Sequence, residues 1–265
     1  MASSKTTRPR PLSPHVSVWR WHATMAASIA HRVSGVALYF GSALIAALII
    51  SVAMGPEAYA AMMDIVLSVF GRLILFGFTA ALAYHFANGI RHLIWDGPGA
   101  GFSPGTASFV SVFNFLFATG ATIAIGRLPI TDRIQIMSQQ QRSPLGQVRG
   151  LGASRAGTEH YIRQRVSALA LLVLVPWFVF SGLVAMKGGY ASAAEWLAHP
   201  FHAILIVLTL GAAIYHMRLG MQTVIEDYIA RTSTRQALLI LSTFFSIGLF
   251  VATALSVLNI WISAS

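Results

Sequence analysis

A stretch of sixteen residues, 81–96 (ALAYHFANGIRHLIWD), recurs at 212–227 and constrains this chain more than any other feature. Both copies keep Tyr-His, a glycine four residues after the histidine, and an isoleucine and an aspartate in the same register. Each copy lies at the end of a long apolar segment, so His85 and His216 are predicted to lie inside membrane spans. An ionisable side chain at that depth is costly and indicates a functional site. Two histidines at matched depth indicate one shared ligand.

The glycine of each copy strengthens this interpretation. On a helix, residues four apart share a face, so Gly89 lies one turn from His85 and Gly220 one turn from His216. A glycine at that position removes bulk where a flat ring would approach. For one histidine alone, a packed polar residue between helices is the simpler explanation. For the repeated pair, we predict the two axial ligands of one b-type haem, which has no open position for oxygen and therefore carries electrons.

The composition places the chain in a membrane. Of its 265 residues, 56% are hydrophobic and only 10% are charged, against about 25% charged residues in soluble domains. The absence of cysteine excludes disulfides and thiolate ligands, so a metal centre must use histidine, methionine or carboxylate. Basic loops on the cytoplasmic side of a multi-pass protein explain the net charge of +10. We therefore expect membrane lipid, and no nucleic acid, around the chain.

Six apolar segments reach or approach the roughly 20 residues that a membrane span needs. They predict an all-α membrane protein with six transmembrane helices. An Arg-Val-Ser motif opens the chain's first span at 32–34 and recurs at 165–167, so the repeat predicts two parallel three-helix units around a haem. The predicted spans are 33–54, 69–94, 109–126, 166–186, 201–225 and 237–262.

The distribution of charge contradicts a simple six-span path. Lysine and arginine place the N-terminus in the cytoplasm and leave the loops 55–64 and 187–199 on the outer side. The third span must then end outside, yet the following stretch, 127–165, is the most basic of the chain and has no apolar segment that could cross back. We favour two polypeptides joined end to end, with the second starting near Met137. The alternative is that 109–126 does not fully span.

The propionates of a haem need cationic partners in an apolar setting. Arg32 and Arg165 occupy equivalent places in the repeat, which favours a role at the shared axis. For each arginine, the alternative is ordinary anchoring of a span end by positive charge. The candidates close to span ends on the cytoplasmic side are His31, Arg32, His92 and Arg165.

A second polar group is predicted on the same side. Ser28 and Arg32 lie four apart on one helix face, and Asp227 and Tyr228 end the fifth span at the corresponding height. Reduction of a quinone needs donors to its carbonyl oxygens and a source of protons, which this set can supply. On the residues alone, helix capping and an interfacial tyrosine are the simpler explanation.

Several stretches resemble a known family. Residues 10–15 (RPLSPH), 28–35 (SIAHRVSG) and 84–96 resemble the cytochrome b subunit of succinate dehydrogenase. Residues 157–165 (GTEHYIRQR) and 215–228 resemble the small hydrophobic anchor subunit of the same enzyme. In that family the two subunits occur as separate chains of three spans each. The implied organisation is a cytochrome b-like unit at 1–126, a connector at 127–156 with a possible chain break near 137, and an anchor-like unit at 157–265.

The resemblance implies the membrane anchor of succinate dehydrogenase, respiratory complex II, in the bacterial inner membrane. Such an anchor holds one haem b and passes electrons from an iron-sulfur subunit to ubiquinone, while the flavoprotein subunit oxidises succinate. Arg32 would orient the quinone, Tyr228 and Ser28 would bind its two oxygens, and Asp227 would deliver protons. By resemblance, the haem ligands are His85 and His216, and the propionate partners are His31, Arg32, His92 and Arg165.

Two other functions are compatible with a six-span repeat. A fumarate reductase anchor would use the same scaffold in reverse, with a low-potential quinol. A solute transporter built from repeats would need a water-filled polar path through the midplane. The mid-span polar residues are chiefly the two histidines and small hydroxyls, which disfavours a transporter.

Overall fold

The computed structural model describes residues 21–127 and 155–264, and every regular element in these two ranges is an α-helix. Six of the helices are long and apolar enough to cross a membrane, which confirms the predicted architecture. The motif at 10–15 and Met137 lie outside the described residues. In chain order, the helices are α1 (Ala23–Met54), α2 (Pro56–Leu67), α3 (Val69–Asp96), α4 (Pro104–Arg127), α5 (Arg155–Met186), α6 (Gly189–Ala198), α7 (Pro200–Tyr228) and α8 (Thr232–Ala264).

The long helices extend beyond the predicted apolar segments. Helices α1 and α5 each have 32 residues, which corresponds to about 48 Å at the rise of an α-helix. The hydrocarbon core of a bilayer is only about 30 Å thick. About the first three turns of each helix therefore lie in the interfacial region. These turns carry the polar motifs around Arg32 and Arg165. Hydropathy locates the part of a helix in lipid and does not locate its ends.

The two segments predicted as outer loops are instead largely helical, as α2 and α6. Pro56 is the first residue of α2, a position where the missing N–H of proline costs nothing. Gly55, with a φ of 110°, makes the sharp turn from α1 into α2. The rings of Tyr59 and Tyr190 lie 5.8 Å apart, so α2 and α6 contact each other across the two units. The assignment to outer loops rested on the lack of lysine and arginine and did not consider that both segments are rich in alanine, a strong helix former.

Two reciprocal ion pairs join the units in parallel. Arg32 in α1 pairs with Asp227 at the end of α7 at 2.8 Å. Arg165 in α5 pairs with Asp96 at the end of α3 at 2.5 Å. In the repeat, Arg32 corresponds to Arg165 and Asp96 to Asp227, so each arginine contacts the aspartate of the other unit. We call this side of the bundle the arginine end, and the side of α2 and α6 the far end.

Helix α4 runs antiparallel to α3. The ring of Tyr84 lies 4.6 Å from that of Phe115, and Arg91, further along α3, donates to Ser111, which comes earlier in α4. Helix α4 therefore starts at the arginine end and finishes at the far end, whereas α5 begins at the arginine end. The last described residue of α4 and the first described residue of α5 therefore lie on opposite sides of the bundle.

A buried polar seam holds α3 against α4. Asn88 and Ser111 are fully buried, and the Asn114 side-chain amide donates to the Asn88 carbonyl oxygen at 3.5 Å. The Arg91 guanidinium carbon lies 4.4 Å from the centroid of the Trp95 ring, a favourable cation–π contact. The expectation that mid-span polar residues are chiefly histidines and small hydroxyls was therefore wrong. The seam is packed between two helices, so it does not provide the open aqueous path that a transporter requires.

The two units share one core. Ile49 and Val52 of α1 pack with Ile206 of α7 and Val257 of α8 towards the far end. Nearer the arginine end, the buried Tyr39 donates a hydrogen bond to the carbonyl oxygen of Ser242 at 2.9 Å. These contacts combine apolar packing with polar links between helices, as is usual inside membrane bundles.

We expect the Arg165–Asp96 ion pair to contribute roughly 0.2–1 kcal/mol to the stability of the bundle, the range for partly exposed pairs. The two side chains are 29% and 28% exposed. A double-mutant cycle with Arg165→Gln and Asp96→Asn, followed by thermal unfolding in detergent, measures the coupling free energy. The two substitutions together should destabilise less than the sum of the single effects.

The matched control is the ion pair between Glu159 and Arg163, which lies within α5 and is more exposed, at 62% and 54%. Its coupling should be smaller, since exposed pairs are screened by water. Strictly additive effects of Arg165→Gln and Asp96→Asn would contradict a stabilising role for the reciprocal pair.

Candidate functional site

The two repeated histidines come together between the units. His85 lies on α3 and His216 on α7, and their ring centroids are 6.4 Å apart with the ring planes at 83°. An imidazole nitrogen binds a first-row metal at about 2 Å and lies about 1 Å from its ring centre, so two rings on one metal have centroids about 6 Å apart. The separation is compatible with a single metal between the rings.

Helix α1 fixes the position of His85. The Nδ1 atom of His85 lies 3.2 Å from the hydroxyl of Ser34 and 3.2 Å from the carbonyl oxygen of His31. The His31 ring stacks on the His85 ring at 3.9 Å with an angle of 10°. A Cβ atom at Gly35 would stand 3.1 Å from the His85 ring, so a larger residue there would press on it.

Helix α5 positions His216 in the corresponding way. The Nδ1 atom of His216 lies 3.0 Å from the hydroxyl of Ser167, and its Nε2 atom lies 3.4 Å from the side-chain nitrogen of Gln164. Ser34 and Ser167 are equivalent in the repeat. The first helix of each unit therefore supplies a serine to the histidine of the same unit.

The surroundings of the histidine pair fit an iron porphyrin in two respects. First, a Cβ atom at Gly89 would meet nothing within 4 Å, and at Gly220 only Gln164, at 3.8 Å, so space remains one turn from each histidine. Second, polar groups nearby lack partners, although buried polar atoms are normally paired. In the described part of the chain, the buried atoms near the pair without a hydrogen-bond partner include His31 Nδ1, Gln164 Oε1 and Arg165 Nε.

The predicted propionate partners lie around the same pair. His92 is 5.1 Å from His31, measured between ring centroids. Arg165 pairs with Asp96 and lies 5.0 Å from the centroid of the Tyr161 ring. Arg32 pairs with Asp227 of the other unit. Both arginines are thus held at the arginine end by carboxylates, which sequence analysis did not anticipate.

Three of the four predicted quinone residues contact one another. Arg32 Nη1 lies 2.8 Å from the Asp227 carboxylate and donates to the Tyr228 hydroxyl at 3.3 Å. The guanidinium carbon is 5.5 Å from the centroid of the Tyr228 ring. Ser28 is exposed one turn before Arg32 on α1. The group faces the surface at the arginine end, where a ligand from the bilayer or a partner protein could reach it.

Sequence reasoning did not assign a role to several residues of the site. Ser34 and Ser167 were visible in the Arg-Val-Ser repeat, but nothing in the pattern indicated that they face the histidines. Gly35 and Gln164 contact the rings without a separate sequence signal. A search for polar residues that occur at equivalent positions in both units would have found the two serines.

Comparison with known proteins identifies the family. The family described as succinate dehydrogenase/fumarate reductase transmembrane subunit matches residues 6–123 and 139–253. The succinate dehydrogenase hydrophobic membrane anchor subunit of Rickettsia bellii (strain RML369-C) is 31% identical over 122 residues, which cover 46% of this chain and 97% of that protein. No solved structure shows a significant match.

Relatives of a second kind also match. The mitochondrial succinate dehydrogenase cytochrome b560 subunits of Sus scrofa and Homo sapiens are 41% and 38% identical over 92 residues. These residues cover 33% of this chain and 53% of each relative, so the chain spans about half the length of these cytochrome b560 subunits. Because the family matches both three-helix units, which carry the repeated histidines, the chain belongs to the succinate dehydrogenase/fumarate reductase transmembrane subunit family.

Proposed function

We propose that this chain is the membrane anchor of a succinate dehydrogenase, that it binds one haem b between His85 and His216, and that it forms a site for ubiquinone reduction. As an anchor it is part of an enzyme complex without carrying the residues that oxidise succinate. The anchor and cytochrome b560 relatives support this function. The observation that carries the haem proposal is the 6.4 Å separation of two imidazoles contributed by the two repeat units.

When bound, a haem with two histidine ligands supplies one-electron transfer and has no open position for oxygen. In this proposal His85 and His216 ligate the iron. The unpartnered Nδ1 of His31 and Nε of Arg165 can donate to propionate oxygens, and charge-assisted hydrogen bonds of this kind are strong. The remaining propionate partners in the proposal are His92 and Arg32.

The quinone site in this proposal is the exposed group at the arginine end. Arg32, held by Asp227 and Tyr228, orients the quinone ring. Tyr228 donates a hydrogen bond to one carbonyl oxygen, and Ser28 donates to the other. The Asp227 side chain is 43% exposed, so it can exchange protons with water and deliver them to the reduced quinone.

The proposal assigns the arginine end to the cytoplasmic face of a bacterial inner membrane. Lysines and arginines of multi-pass proteins concentrate on that face, and the N-terminal segment is basic. The iron-sulfur subunit would dock there, next to Asp227 and Tyr228, with the flavoprotein subunit beyond it. Electrons would then reach the quinone without crossing the bundle.

The relatives named above favour succinate oxidation over the reverse direction. Both kinds carry the name of succinate dehydrogenase, whereas the family description covers fumarate reductase as well. Identification of the quinone that copurifies with the protein separates the two directions, because a fumarate reductase anchor would carry a low-potential quinone.

We also propose that the two units are separate polypeptides in the native protein, with the second starting near Met137. The described helices that flank 128–154 end and begin on opposite sides of the bundle. That sequence contains Arg133, Arg142 and Arg149 and no apolar run of span length. The two family matches also stop at 123 and resume at 139, which leaves Met137 between them.

Loss of either histidine ligand should abolish the haem spectrum. We expect the reduced-minus-oxidised spectrum of the purified chain to contain low-spin haem bands that disappear in His85→Ala and in His216→Ala. His199→Ala, an exposed histidine at the far end, is the control and should keep the bands. Bands that survive in either ligand variant, or a wild-type chain that takes up no haem, would contradict the haem proposal.

The Tyr228 hydroxyl should matter for quinone reduction and not for haem binding. In the complex assembled with its partner subunits, Tyr228→Phe should lower succinate-dependent quinone reduction about tenfold, the effect of one lost hydrogen bond to a reacting group. Tyr215→Phe removes a hydroxyl from the same helix and should have no effect. Equal activity of both variants would exclude Tyr228 from the quinone site.

Intact mass of the protein isolated from its native membrane tests the two-chain proposal. We expect two species that result from a break near Met137. A single species near 28.5 kDa would show instead that the chain is a true fusion.

A further inference from the structure

Two buried serines hold the histidine pair. Ser34 and Ser167 are the third residues of the repeated Arg-Val-Ser motifs and are 7% and 6% exposed. We propose that they are positioning residues that keep the proton of each histidine on Nδ1 and so direct Nε2 towards the iron. This inference rests on the proposed haem function and assigns the role of the duplicated serine.

The contacts of His85 determine which of its nitrogens carries the proton. The Ser34 hydroxyl donates its only proton to the carbonyl oxygen of His31 at 2.9 Å. It can therefore only accept from His85 Nδ1, 3.2 Å away. The His31 carbonyl oxygen, also 3.2 Å from Nδ1, is an acceptor by nature. Both neighbours require an N–H at Nδ1, so a neutral His85 has its lone pair on Nε2.

His216 has the same arrangement. The Ser167 hydroxyl donates to the carbonyl oxygen of Arg163 at 2.8 Å, so it accepts from His216 Nδ1 at 3.0 Å. On the other side of the ring, the Gln164 side-chain nitrogen lies 3.4 Å from Nε2. An amide nitrogen is a donor only, which again requires a lone pair on Nε2. The backbone carbonyl oxygen of Gln164, the residue equivalent to His31 in the repeat, also accepts from the His216 ring and lies 3.0 Å from the Ser167 hydroxyl.

The side chains of His31 and Gln164 predict unequal roles for the two serines. If Ser34 is removed, the His31 carbonyl oxygen still accepts from His85 Nδ1, and the stacked His31 ring still holds the plane of the imidazole. If Ser167 is removed, the Gln164 carbonyl oxygen remains as an acceptor, but Gln164 has no ring to stack on His216. The ring of His216 is then held less firmly, and Nε2 is less well directed towards the metal.

The hydrogen bond should also tune the iron. A partner that accepts from the second ring nitrogen makes the ligating nitrogen more basic, and loss of such a partner typically weakens metal binding about 10–100-fold. A more basic ligand favours the ferric over the ferrous state. Removal of the serine hydroxyl should therefore raise the midpoint potential of the haem as well as weaken its binding.

The test compares serine-to-alanine variants of the full chain in detergent. Haem affinity is measured by titration of the apoprotein with hemin, and the midpoint potential by redox titration of the haem bands. We expect Ser167→Ala to weaken haem binding about tenfold or more and to shift the potential upward. Ser34→Ala should have the same effects to a smaller extent, and Ser167→Thr, which keeps a hydroxyl, should restore most of the loss.

Each serine has a matched control on its own helix. Ser51 on α1 has the same 7% exposure as Ser34 and donates to the carbonyl three residues earlier, like Ser34. Ser181 on α5 donates to the carbonyl four residues earlier, like Ser167. Neither control serine has a recorded contact with a histidine ring in the described structure. Ser51→Ala and Ser181→Ala should therefore change neither the affinity nor the potential, while circular dichroism verifies that all variants keep their helices.

The outcomes separate this inference from the function on which it rests. A wild-type chain without low-spin haem would overturn both. A wild-type chain that binds haem, together with Ser167→Ala and Ser34→Ala variants that match the controls in affinity and potential, would overturn the serine assignment alone. An effect in Ser34→Ala that exceeds the effect in Ser167→Ala would contradict the argument from the stacked His31 ring.

Discussion

The structure depends on polar contacts that hold two imidazoles inside an apolar bundle. Hydrocarbon offers no water to satisfy a polar group, so each histidine needs a partner on a neighbouring helix. The first helix of each unit provides it: Ser34 contacts His85, and Ser167 contacts His216. Two residues earlier, the arginine of the same motif contacts the aspartate of the other unit. The serines thus organise each unit internally, and the arginines join the units.

Much of this arrangement could be predicted from the sequence. Apolar length indicated six spans, and the repeated Tyr-His motif indicated that His85 and His216 lie at the same depth. The pairing of Arg32 with Asp227 could not be read in this way, because helical periodicity describes which residues share a face and not which helix that face meets. The repeat relates Arg32 to Arg165, but it does not say that each arginine reaches across to the opposite unit.

Other features escaped prediction for local reasons. Helices α2 and α6 follow residues that usually indicate turns, and Gly55 does make a turn directly before Pro56 starts α2. Gly35 resembles any small residue in a membrane helix, yet its close approach to the His85 ring leaves no room for a larger side chain. The contradiction between charge and span count, in contrast, was visible in the sequence. The structure agrees with it, since α4 ends and α5 begins on opposite sides of the bundle.

The reciprocal ion pairs give the bundle a local pseudo-twofold axis that passes between the histidines. The symmetry fails at one neighbouring position, since Asp227 is followed by Tyr228 and Asp96 by Gly97. The phenol beside Arg165 is that of Tyr161 on α5, so among the described residues only the Arg32 corner has a phenol that follows the aspartate and accepts a hydrogen bond from the arginine. Any molecule whose binding requires that phenol has a stoichiometry of one per bundle, although the polypeptide framework is duplicated.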